Sequence, residues 1–279
     1  MIHTSFPRAI GFAWLILLSS IPARAQTQPK LEFEVASIKP NASGEHGIRL
    51  NISPGRLMAK NVTAKILIMQ AFDVKDFQVS GGPAWIASDH FDLDAKTGGE
   101  EVPSPAKLTA DQAKTKSQEI QSMMQSLLAD RFKLKLHEDS KEAPVYALVV
   151  GKNGPKLKPA EGGAAARQMM RMGRGQLTAT KVTMDALANQ LSGQVGRTVM
   201  NKTGLHGEYD IELEWTPDPG QSAGSLGALP PGGEAPPPVD SSGPSIFTAV
   251  QEKLGLKLEG TKAPVKVIVI DYIEKPSEN

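Results

Sequence analysis

Cysteine is absent from the 279-residue chain. That excludes a disulfide scaffold, Cys-ligated zinc, an iron–sulfur cluster, a thiol nucleophile and lipoprotein acylation. Aromatics are scarce: three Trp, three Tyr and eight Phe. A surface that stacks sugars or single-stranded nucleic acid relies on several of them. There is no excess charge of either sign, with 31 Lys+Arg against 30 Asp+Glu. A general field for gripping nucleic acid is therefore missing, and only a local patch could supply one. No Walker A, GxGxxG or His-Glu-x-x-His string occurs.

The longest apolar run, Ala9 to Ile21, is too short for the roughly 20 residues of a membrane-spanning helix. Arg8 precedes it and Ala23-Arg24-Ala25 follows it, the pattern of a secretory signal with a small-x-small cleavage site. Residues 1–25 are expected to be a signal peptide and the mature chain to begin at Gln26. Removal takes away Arg8 and Arg24 and no acidic residue, which turns the net charge of +1 into −1. The rival reading, an uncleaved anchor, fits the short core less well. The expected location is periplasmic or secreted, with no membrane span after cleavage and no nucleic-acid partner.

The most informative positive feature is internal similarity at offsets of 118 to 122 residues. Gly55-Arg-Leu-Met-Ala-Lys-Asn-Val-Thr63 resembles Gly175-Gln-Leu-Thr-Ala-Thr-Lys-Val-Thr183. Phe91-Asp92-Leu93 resembles Tyr209-Asp210-Ile211, and Phe132-Lys-Leu-Lys-Leu136 resembles Leu254-Gly-Leu-Lys-Leu258. Ala143-Pro144-Val145 resembles Ala263-Pro264-Val265. Four matches in one order favour a duplicated unit over chance.

Each copy has a readable pattern. Thr183 is a helix N-cap, and Met184, Leu187, Ala188 and Leu191 recur at helical spacing. Tyr209, Ile211, Leu213 and Trp215 alternate with acidic residues, a half-buried strand. Ile246, Phe247, Val250 and Leu254 form a second helix behind Ser245. In the first copy the same reading gives a helix from Thr63 to Phe72, a strand from Phe91 to Ala95 and a helix around Ile120 to Leu128. Residues 132–137 and 145–150 read as two further strands, as do the runs from Leu256 and from Val265. Phe33 to Ile38 is a strand preceding the first copy. Strands in pairs with two helices predict an α+β fold of two tandem β-α-β-β-α-β-β-like units, helices packed on mixed or antiparallel sheets. The expected organisation is a first unit at 26–151, a linker at 152–174 and a second unit at 175–276. A Pro/Gly-rich insertion at 216–244 interrupts the second.

The strings Phe33-Glu-Val-Ala-Ser-Ile-Lys-Pro40, Ser80-Gly-Gly-Pro-Ala-Trp85 and Arg131-Phe-Lys-Leu-Lys-Leu-His137 carry a resemblance to a known family. So do Lys202-Thr-Gly-Leu-His-Gly-Glu-Tyr-Asp210 and Leu213-Glu-Trp-Thr-Pro217. Together they resemble the soil-associated family of secreted bacterial proteins of unknown function. Similar domains occur fused to membrane metallopeptidases related to β-lactam sensors. The resemblance implies an exported domain outside the membrane and no established activity.

No catalytic, cofactor-binding or metal-ligating set assembles from the sequence. His46, His90, His137 and His206 are scattered, without zinc-helix spacing. Three residues are contact candidates: Trp85 after a Gly-Gly-Pro turn, and Arg131 with His137 as an anion contact. Their ordinary readings are core packing, a helix end and a solvated basic strip with Lys133 and Lys135. Asp92 and Asp94 share a strand face and could serve as an acid–base pair, as in a carboxylate-dependent envelope hydrolase. Met169, Met170 and Met172 could offer thioethers to Cu(I). The favoured expectation is an exported, non-catalytic binding module, possible partners being an envelope protein or a small ligand, with no cofactor.

Overall fold

The computed structural model describes residues 32–42, 47–53, 56–97, 110–160, 168–173, 175–217 and 243–276. The expected signal peptide and most of the 216–244 insertion lie outside them. The described residues cluster as one compact unit. The fold is α+β, with helices packed on antiparallel and mixed sheets.

The first sheet is antiparallel and has the order β1-β5-β3-β2. Its strands are β1 (Val35–Pro40), β2 (Arg49–Ser53), β3 (Arg56–Thr63) and β5 (His90–Lys96). Strand alternation turns Ile38, Leu57, Ala59, Leu93 and Ala95 to one face, where all are buried. Two helices cover that face, α1 (Ala64–Phe72) and α3 (Ala110–Arg131). Helix α1 starts where the sequence places it, with the Thr63 hydroxyl accepting from the Ile66 amide at 3.3 Å. Helix α3 begins earlier than its apolar stripe, because its first turns carry exposed polar residues that give no periodic signal.

A second sheet repeats the same strand order with later elements. It reads β7-β11-β9-β8: β7 (Lys158–Pro159), β8 (Met169–Gly173), β9 (Gln176–Val182) and β11 (Tyr209–Glu214). Its inner face is covered by α4 (Met184–Val195), capped by Thr183, and α5 (Ile246–Leu254), capped by Ser245. The stretch 152–174, expected to be a linker, therefore contributes two strands. Strand β7 has two residues and β8 five, too short for a clear alternation, which is why they read as connection.

The third sheet joins the two cores. Residues 132–137 and 145–150 are not separate strands. They run on as one, β6 (Lys135–Val150), and the equivalent later residues form β12 (Leu256–Tyr272). The two pair antiparallel along nearly their whole length, with Ala143 opposite Ala263. Two three-residue strands flank them in parallel, β10 (Val199–Asn201) on β6 and β4 (Val79–Gly81) on β12. The far end of each long strand serves the other core: Leu148 of β6 packs with the α4 and α5 helices, while Ile270 of β12 and Ile273 beyond it pack with α1 and α3. The Ala-Pro steps at 143–144 and 263–264 look like breaks in a sequence. Here each proline stands at a ribbon edge, where its missing N–H faces outward. Tyr146, two residues on from Pro144, donates outward to the Thr198 carbonyl at 2.9 Å. Lys266, two residues on from Pro264, accepts outward from Gln78 Nε2 at 2.9 Å. Proline is tolerated in strands at such edge positions.

Candidate functional site

Asp92 and Asp94, the alternative acid–base pair, are both committed to the fold. Strand β3 carries an extra residue near Asn61, which adopts φ 56°. Asp92 Oδ1 accepts from the Asn61 amide at 3.0 Å and from Asn41 Nδ2 at 2.6 Å. Burial opposes ionisation, but these hydrogen bonds with nearby Lys60 outweigh it and hold the carboxyl below its ordinary range. The second sheet repeats the device. Lys181 takes φ 54° and its amide donates to Asp210 Oδ1 at 3.0 Å. Asp94 receives Arg56 in a bidentate pair, Nε at 2.8 Å and Nη2 at 2.5 Å, which lowers its pKa as well. An acid–base pair needs one carboxyl that holds a proton near neutral pH. Both of these are held ionised.

The contact candidates are each engaged separately. Trp85 opens the short helix α2 (Trp85–Ser88), half-buried edge-on to Phe91 at 6.3 Å, with Lys275 Nζ 5.9 Å from its ring. The preceding turn needs glycine at Gly81, where φ is 78° and a Cβ would lie 2.7 Å from the Ile270 carbonyl oxygen. Beside it is a depression of about 220 Å³ lined by Lys65, Ser80, Gly82, Pro83 and Ile86. Its one charged group, Lys65, is paired with Asp76 at 2.6 Å. Arg131 ends α3 and donates to the Ala36 carbonyl at 3.3 Å, tying the helix to β1. His137 is exposed on β6 with Nδ1 2.9 Å from Asp271. Lys133 sits before the strand at φ 52°, and Lys133, Lys135 and His137 are all exposed. Among the described residues no hydrogen bond, ion pair or ring contact joins any two of Trp85, Arg131 and His137.

The methionines also diverge. Met170 and Met172 pack against the second core, while Met169 is 49% exposed on the opposite face of β8. Strand alternation prevents the three thioethers from converging on one ion. Among the described residues no group of three His, Asp or Glu is placed to hold a metal, and no helix is long and apolar enough to cross a membrane. Two short strings do match nucleophile patterns, Gly220-Gln-Ser-Ala-Gly224 and Ser104-Pro-Ala-Lys107, and both lie outside the described residues. The first follows Pro217 and Pro219, not the strand-forming residues a nucleophile elbow follows.

What the fold does assemble is charge on the outer face of the first sheet, which single-residue reasoning missed. Register sets Lys39 opposite Asp92 and Arg49 opposite Lys60. Lys96 lies across from Arg56. Five cations thus share a face with two aspartates. The alternation within β1, β3 and β5 was the available signal, but the pairing of those strands was not. The equivalent face of the second sheet carries Asp210, Glu212 and Glu214 with Lys158 and Arg171, so its sign is reversed.

The chain is thus an α+β protein whose candidate carboxylates are structural and whose two sheets present oppositely charged faces. Residues 65–273 match the family described as protein of unknown function, DUF3738, and the chain belongs to it. No curated protein and no solved structure matches it.

Proposed function

We propose that this protein is an exported, non-catalytic binding module of the bacterial cell envelope, with a sensory role open to it. The observation that carries the reading is the commitment of Asp92 and Asp94. The candidate acid–base pair is spent on a strand bulge and an arginine pair, and neither group holds a proton for an acid step. The signal-like pattern at Ala9 to Ala25 supports export, and resemblance to a secreted family supports the envelope. The envelope partner or small ligand is to be met at an exposed surface.

The test has two arms. Cell fractionation with N-terminal sequencing should find the chain outside the cytoplasm, starting at Gln26. Purified protein incubated with envelope polysaccharide and peptidoglycan should release no product. Retention in the cytoplasm overturns the export reading. Product release that is lost in Asp92→Ala/Asp94→Ala or in Ser222→Ala overturns the non-catalytic one.

A further inference from the structure

From the outer face of the first sheet we infer that this chain binds a linear polyanion bearing repeated phosphate or carboxylate groups. The inference names a partner class for the binding module proposed above and rests on that reading. Of the five cations on the face, Arg56 is paired with Asp94. Lys39, Arg49, Lys60 and Lys96 are exposed and make no ion pair among the described residues. Asp92, the other anion there, has its carboxylate engaged by Asn41 and the Asn61 amide. Those donors are neutral and leave the Asp92 charge in place, so five positive charges face two negative ones, a net of three, in a chain whose total charge is close to zero.

Their layout decides the shape of ligand. Lys39, Asp92, Lys60 and Arg49 come from four adjacent strands, β1, β5, β3 and β2. Strands about 4.8 Å apart make that row about 14 Å long. Cations spread along a flat row suit a chain of charges, not a single small anion, which would need them to converge. Among the described residues the face lacks a Phe, Tyr or Trp side chain, so it offers no base-stacking platform. Val35 is its one large exposed apolar residue among the described residues, too little for insertion into a lipid surface. The reversed sign of the second sheet's outer face confines the interaction to the first.

The test is binding of labelled inorganic polyphosphate to the full-length protein by fluorescence anisotropy across a salt series. Four contacts imply that log K falls against log salt with a slope of about −3. Lys39→Glu/Lys60→Glu should lose at least tenfold in affinity and flatten that slope by roughly half. Glu212→Gln/Glu214→Gln should bind as wild type. All four positions are exposed, and an unchanged melting curve checks each variant's fold. Absence of binding at low salt overturns the inference. So does indifference to the Lys39/Lys60 change, a preference for single-stranded DNA, or binding to phosphatidylglycerol vesicles in place of polyphosphate. Turnover of a bound polymer that still depends on Lys39 and Lys60 supports the inference and overturns only the non-catalytic reading.

Discussion

Ala143 lies directly opposite Ala263 at the middle of the long ribbon. The two occupy the same place in the internal repeat, so they mark a local pseudo-twofold centre. On either side of them β6 and β12 leave one core and enter the other. Neither core is complete without residues from the other half of the chain. The connection at 161–167 should then be dispensable for association. A protease site placed there and cut in the native protein should leave two pieces that co-elute and separate only in denaturant. Pieces that part under native conditions contradict the exchange.

Deleting a buried side chain at a far ribbon end should damage the core it enters. Ile270→Ala is expected to cost about 2–5 kcal/mol, as buried Ile or Leu truncations do. Leu148→Ala should cost a similar amount. Hydrogen exchange would place the first loss around α1 and β3, although Ile270 belongs to the later half of the sequence. Protection lost only around α4 and β9 would show that Ile270 serves the other core.

The helices with their caps and the inward strand faces were legible in sequence, because Thr63, Thr183 and Ser245 and the alternation at Phe91 and Tyr209 are local signals. Ribbon continuity was not. An Ala-Pro step between two β runs fits both a reversal and a straight edge strand, and only the distant partner decides. The three-residue strands β4 and β10 are too short for any periodicity. The basic face escaped notice for a related reason. Its cations sit at ordinary exposed strand positions, and only the pairing order gathers them.

Asp92 should show its structural role in the pH dependence of stability. Its folded pKa is lowered, so its contribution is present above the unfolded value near 3.9. It is lost as pH falls through the still lower folded value. At neutral pH Asp92→Ala removes two charge-assisted hydrogen bonds and should cost about 1–3 kcal/mol. In urea titrations the gap to wild type should narrow below about pH 4. A gap constant down to pH 2 would mean that the carboxylate charge contributes nothing.

The ribbon edges carry a testable safeguard. Pro144→Thr with Pro264→Thr returns an outward donor to each exposed edge and should raise self-association, since exposed edges template pairing between chains. Light scattering against concentration should detect it, with helix content by circular dichroism unchanged. Variants that stay monomeric would show that these prolines do not guard the edges.

Gly81 and Gly154 separate steric need from conformational need. Both have positive φ, 78° and 77°, but only Gly81 has backbone where a Cβ would go. Gly154→Ala meets open space and should cost about 1 kcal/mol for the left-handed backbone alone. Gly81→Ala should cost more, because the Ile270 carbonyl must also move. Equal melting temperatures for the two variants would remove the contact from the explanation.

The exchange of strands between cores can be read most directly from the two tryptophans of the expected mature chain. Trp85 packs against the first core and Trp215 is buried in the second. Mature Trp215→Phe and Trp85→Phe proteins each leave one reporter. Urea unfolding should give coincident fluorescence transitions for the two, after correction for each substitution's own effect on stability. Transitions that separate, with one core unfolding while the other stays intact, would contradict the account.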